Sequence, residues 1–335
     1  MPPPPKPGVV PLAPLRLGDV LGGALAVIGR HWKQLAGIVL TTYGLALAVI
    51  GAAVGIAFAV HSDRLDRVFD SDSAPRVDDA LPLVLTFGAV YLLMFFVILV
   101  ANAMISASCP AVLQDAVLGH PTTFRRIWRR ALRRVWSVLG TVVLTALIAM
   151  VPVLLIGAAV GTLFITLITM SSNAGEFGWL VLGGLLGALA TGPLAIWLWV
   201  KFAFAPAAAV FEGQGPIAAL SRSARLVRGD WWRVFGIALL AYAMAAAAGY
   251  VIQLPFLFLS LLAPAFGGDA ATSGVALAVV IVSAVIPLLA MLTGQALTAV
   301  FPQLVVSLLY VDQRIRKENL APALAHAASA PPAAV

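Results

Sequence analysis

Six arginines stand in three adjacent pairs along Thr122–Trp136, at Arg125/Arg126, Arg129/Arg130 and Arg133/Arg134. A guanidinium is a permanent cation whose forked donors match phosphate oxygens, and pairs repeating every four residues fall on one side of a helix. Phe124, Ile127, Trp128, Ala131, Leu132, Val135 and Trp136 fill the other side, so the spacing predicts a strongly amphipathic helix. The chemistry on offer is attraction of anionic lipid headgroups. Each arginine contributes up to about 1 kcal/mol near an anionic surface, whereas placing it at the bilayer centre costs about 2.5–3.5 kcal/mol. The segment therefore belongs at the membrane surface. It serves there either as an anionic-lipid surface or simply as a determinant of topology.

Other chemistry-bearing residues are sparse. Cys109 is the single cysteine, and the four histidines, His31, His61, His120 and His326, are scattered. No intramolecular disulfide is possible, and no GxSxG, HExxH or Walker pattern occurs. The chain reads as non-enzymatic, without cofactor or metal. The acidic loop around Asp63–Asp79 contains Asp70 and Asp72 but lacks the glycine and distal glutamate of a calcium loop. Three polar residues, Asn102, Lys201 and Gln295, each precede a proline by one or two helical turns and are candidates for an intramembrane polar path. The plainer alternative is that Lys201 snorkels and the two amides bond neighbouring helices. Asp115, Glu212 and Asp312 follow the same prolines and are expected to ion-pair with the basic helices.

These residues must be positioned by a membrane bundle. Of 335 residues, 61% are hydrophobic and only 10% charged, with mean hydropathy +1.01, which excludes a soluble globular class. About 20 apolar residues cross a bilayer. Six stretches qualify: Leu35–Val60, Leu81–Ile105, Val138–Ile168, Trp179–Val200, Val234–Leu262 and Val275–Leu309. Pro152, Pro193 and Pro287 predict kinks or tilts within them. The Gly51/Gly55 and Gly157/Gly161 spacings predict close helix packing. Of 21 basic residues, 18 fall on one side, while the opposite side holds Arg64, Arg67 and Arg76 among aspartates. The positive-inside rule puts both termini in the cytoplasm. Residues 1–14 form a proline-rich tail and 319–335 an alanine- and proline-rich one, both expected to be disordered.

The membrane domain, 15–318, also repeats itself. Pro110, Pro206 and Pro302 are 96 residues apart, and the same interval relates Gly119 to Gly215, Arg126 to Arg222, Arg129 to Arg225, Trp136 to Trp232 and Gly140 to Gly236. Units of about 15–115, 116–212 and 213–318 follow, each an amphipathic helix, a boundary tryptophan and a hairpin of two spans. The amphipathic pieces are Leu17–Trp32, Thr122–Trp136 and Pro216–Trp231. In the last, Ile217, Leu220, Ala224, Val227 and Trp231 form the apolar stripe. An even number of spans per unit makes the copies parallel, and a pseudo-threefold, all-α bundle is expected.

PLRLGDVLGGALAVIGRHWKQLAGI, APAAAVFEGQGPIAALSRSARLVRGDWWRVFGI and LLYVDQRIRKENL together resemble the membrane domain of bacterial glycerophosphoryl diester phosphodiesterases and its stand-alone relatives. The resemblance covers most of residues 11–320 and implies a polytopic helical domain. The hydrolase chemistry of the fused proteins belongs to a separate soluble barrel with histidines and metal-binding carboxylates, so it does not transfer. The expectation is a bacterial plasma-membrane protein that organises anionic lipids or partner membrane proteins at the cytoplasmic face, with no nucleic-acid partner. The alternative is a transporter, flippase or permease with a path along the pseudo-threefold axis.

Overall fold

The computed structural model describes residues 14–69, 77–117, 123–169, 174–267, 294 and 298–318. Every regular element among them is helical. In chain order these are α1 (Leu17–Phe69), α2 (Val77–Val117), α3 (Phe124–Thr169), α4 (Ala174–Phe202), α5 (Ala205–Phe211), α6 (Pro216–Val227) and α7 (Trp231–Gly267). A further helix, α8, covers residues 298–318.

Four stretches are long and apolar enough to cross a membrane: Leu17–Ser62, Leu81–Ala116, Leu185–Phe211 and Trp231–Phe256. They coincide with the first, second, fourth and fifth expected spans. The third expected span lies within α3, and most of the sixth lies outside the described residues. Leu85, Leu92, Leu189 and Val251 are among many large apolar side chains left exposed along these helices. So extensive an apolar surface is compatible with lipid and not with water. The chain is a membrane protein.

Burial concentrates where the basic residues are. Val20, Ala24 and Val27 of α1 join Ala107, Ala111 and Val112 of α2, and Ile127, Ala131 and Val135 of α3. Ala207–Ala209 of α5, Ala219 of α6, Val234 and Ala238 of α7, and Leu304, Leu308 and Tyr310 of α8 complete the same core. Its many alanines let helix backbones approach closely, which is how helices associate when lipid removes the hydrophobic drive. The predicted GxxxG contacts do not form among the described residues: a Cβ on Gly51, Gly55, Gly157 or Gly161 would meet none of them within 4 Å. Close approach occurs instead at Gly140, where a Cβ would lie 2.7 Å from the Pro216 ring. A spacing motif shows only that a helix has a smooth face. It does not say which neighbour uses it.

The amphipathic segments join their spans in different ways. Between α6 and α7 the chain turns at Gly229, in the left-handed region at φ +93°. In α1 the break is a kink at His31, φ −118° and ψ 23°. The arginine-rich segment has no break and forms the first turns of the 46-residue α3. The position 96 residues before Gly229 is Arg133, which cannot adopt positive φ cheaply, so the helix continues. The separate surface helix expected at Thr122–Trp136 is thus replaced by a projection of the span itself. The helix also continues through Pro110, Pro152 and Pro193, while Pro287 lies outside the described residues.

Candidate functional site

The arginines of α3 divide into two rows. Ile127, Ala131 and Val135 face the core. Arg126, Arg130 and Arg134, four residues apart, flank that face and are half-buried. Arg130 Nη1 donates to Gln114 Oε1 at 3.2 Å and reaches Asp115 Oδ1 at 3.4 Å. Arg134 Nη1 donates to the Gly213 carbonyl at 2.9 Å. That contact requires glycine: Gly213 has φ +69°, and a Cβ there would lie 2.6 Å from Arg134 Nη2.

Arg125, Arg129 and Arg133 form the outer row and are exposed, with no ion pair among the described residues. Beside them project Leu132, 47% exposed, and Trp136, 72% exposed. The predicted apolar half of the helix is therefore shared between the protein core and the outside. Three cations beside an apolar leucine and a tryptophan make a surface suited to the headgroup boundary of a bilayer.

The three acids that follow the repeated prolines all pair with arginine, as expected. Asp115 meets Arg130 of α3. Glu212 meets Arg222 of α6, with Nη2 at 2.9 Å from Oε1. Asp312, whose side chain is wholly buried, meets Arg233 of α7 at 2.6 Å and Arg316 at 3.0 Å. Asp312 Oδ1 also accepts from the Leu15 amide at 2.7 Å, while Arg233 and Arg316 donate to the Leu15 carbonyl. This pairing offsets the cost of burying the Asp312 carboxylate.

Glu212 accepts further bonds from Gln214 Nε2 at 2.8 Å and Tyr310 Oη at 2.5 Å. Burial pushes its carboxyl upward, but the bonds from Arg222 and Tyr310 outweigh burial and hold it below the usual carboxylate range. Burial likewise lowers Arg222, and its bonds to Glu212 and Glu318 more than reverse that, leaving it above its ordinary value. At neutral pH the pair is therefore held as carboxylate and guanidinium.

Asn102 and Lys201 do not come together, and Gln295 lies outside the described residues. Asn102 lines two adjoining cavities of about 240 and 190 Å³, both of which also meet Ser106, Tyr242 and Gln303. Thr145 lines one, and Tyr43 and Thr298 the other. Among the described residues, no Asp, Glu, Lys, Arg or His lines either cavity. Asn102 Nδ2 donates to the Ile98 carbonyl, and Thr145 Oγ1 to Thr141 and Val142 carbonyls, so part of this polarity is spent on the helices' own backbones. Lys201 instead places Nζ 4.4 Å from the Trp197 ring centroid and lines a different cavity, beside the α6–α7 turn.

Spacing had not singled out Ser106, Tyr242 or Gln303. One signal was present: residues 106, 202 and 298 stand 96 apart, and all three line this pair of cavities. The α6 stripe follows the expected one in part: Leu220 and Val227 are buried and Trp231 packs on the core. Ile217 is 80% exposed, while Ala219, Ser223 and Leu226 are buried. Ser223 accepts from the Phe204 amide and donates to the Lys201 carbonyl, which stitches the α4–α5 break to α6.

Among known families, the model of a domain of unknown function, DUF7847, matches residues 151–312. The match begins within α3 and ends at Asp312 of α8. No curated protein and no solved structure matches the chain.

Proposed function

We propose that this chain is a non-enzymatic protein of the bacterial plasma membrane that gathers anionic lipid at its cytoplasmic face. The observation carrying this reading is the division of the α3 arginines. Arg130 and Arg134 are consumed by protein contacts, whereas Arg125, Arg129 and Arg133 stay exposed beside Leu132 and Trp136. A segment serving only topology has no need to segregate its charges in this way. Acidic partner membrane proteins would use the same row.

In this reading six spans form three hairpins around a pseudo-threefold axis, with both termini in the cytoplasm. The acid–arginine pairs support such a ring. Asp115 ties the first unit to the second, Glu212 ties the second to the third, and Asp312 reaches Leu15 at the start of the first. The resemblance to phosphodiesterase membrane domains fits a supporting rather than catalytic role.

The test separates the two rows. In the full chain, replacing Arg125, Arg129 and Arg133 by Gln should lower the enrichment of labelled phosphatidylglycerol around the reconstituted protein. Thermal stability should stay within roughly 0.5 kcal/mol, as for surface positions generally. Replacing Arg130 and Arg134 should do the opposite. Unchanged enrichment in the outer-row variant would sink the proposal.

A second reading, a permease with its path on the axis, draws on the neutral polar cavities at Asn102, Ser106, Tyr242 and Gln303. Loss of a measured flux on bulky substitution of Ser106, with the outer-row variant unaffected, would favour it.

A further inference from the structure

The cavity beside the α6–α7 turn measures about 560 Å³ and is lined by Trp197, Lys201, Arg225, Arg228, Gly229 and Trp231. This size lies in the ordinary range of small-molecule sites. Among the described residues its charged lining is entirely cationic, with one lysine and two arginines and no carboxylate. The nearby Asp230 is engaged elsewhere, at 3.1 Å from Lys317.

The fold builds this cluster from three elements. Lys201 ends α4, Arg225 sits in the last turn of α6, and Trp231 opens α7. Gly229, with φ +93°, turns the chain so that α6 and α7 meet at the cavity. Trp231 Nε1 donates to the Trp197 carbonyl at 3.3 Å, which fixes the two tryptophans relative to each other. Lys201 lies over the Trp197 ring, and among the described residues its ammonium has no counter-ion. Lys317 donates to the Leu226 and Arg228 carbonyls, which fixes the end of α6 that presents the two arginines.

What enters must carry concentrated negative charge, and phosphate answers to arginine forks and a lysine point charge. The surface leading to the cavity tells a lipid phosphate from a free one. On α4, Leu186, Ala190, Pro193 and Trp197 follow helical spacing on one face and are all exposed, and Lys201 continues that line. An acyl chain laid along this stripe would bring its phosphate to the three cations. Free phosphate has no use for it.

We propose that this cavity is a binding site for the phosphate headgroup of one anionic phospholipid, with its acyl chains along α4. The site rests on the chain being a membrane protein but is separate from the outer arginine row of α3.

The experiment is native mass spectrometry of the full chain in mild detergent, titrated with phosphatidylglycerol, phosphatidylcholine or glycerol 3-phosphate. Wild type should retain one phosphatidylglycerol with saturation. The variant carrying Lys201→Gln, Arg225→Gln and Arg228→Gln should lose roughly tenfold or more in that affinity. Lys201→Arg with Arg225→Lys and Arg228→Lys should largely keep it, which controls for folding. The Arg125, Arg129 and Arg133 variant should keep this single lipid while losing the wider enrichment, so the two proposals fail separately. Equal retention by the Gln variant would overturn the site. Displacement of the lipid by equimolar glycerol 3-phosphate, or equal binding of phosphatidylcholine, would overturn its assignment to an anionic lipid.

Discussion

Glu212 accepts side-chain hydrogen bonds from Gln214, from Arg222 of α6 and from Tyr310 of α8, so a single carboxylate joins the α5–α6 loop to two helices. Because the fold holds its carboxyl below the ordinary value, the stabilisation is complete above the unfolded value of about 4.3 and disappears as pH falls through the lower folded value. Melting temperature in detergent should therefore fall as pH drops below about 4. Glu212→Gln should be less stable than wild type at pH 7 by about 1.5–3 kcal/mol, with the gap closing in acid. A gap that stays constant with pH would show that the carboxylate charge is not what matters. That Asp115, Glu212 and Asp312 seek arginines was legible in the sequence, because acids near a membrane boundary have few other partners. The convergence of Ser106, Tyr242 and Gln303 was not. It depends on how α2, α7 and α8 rotate against each other, and small neutral side chains leave no charge or period to betray that rotation.

At the level of elements, the apolar runs and the amphipathic segments were readable because hydropathy and helical period are local properties. How each segment joins its span was not, since that turned on single positions such as Gly229 against Arg133. The glycines make the same point in a testable way. Gly140→Ala places a methyl against the Pro216 ring and should destabilise by about 1–3 kcal/mol through overpacking of α3 on α6. Gly157→Ala meets open space on the same helix and should be neutral or stabilising by up to about 1 kcal/mol from helix propensity. Thermal unfolding of the two variants side by side decides the matter. Equal losses would mean that α3 packs through Gly157 after all.

For the molecule as a whole, the charge asymmetry proposes an orientation that reporter fusions can check. Fusions at Gly119 and Gly213 should report cytoplasm, and a fusion at Asp70 the opposite side. A cytoplasmic signal at Asp70 would invert the scheme. Fold class and the basic end were legible because composition and Lys/Arg placement are global sums. The concentration of the core at that end was not, because apolar residues facing lipid and apolar residues facing protein look alike in a sequence. One bond set joins the two extremes of the described chain: Leu15 is held through both its amide and its carbonyl by Asp312, Arg233 and Arg316. The start of the described chain is thus stitched to its end, at a seam between the approach to α1 and helices α7 and α8. A circular permutant with residue 14 joined to residue 318 by a short linker, and new ends opened at 118–122, should insert and fold. Its heat stability should lie near that of the parent, whereas deleting α8 should leave Leu15 with only its bond from Arg233 of α7 and lower the heat stability.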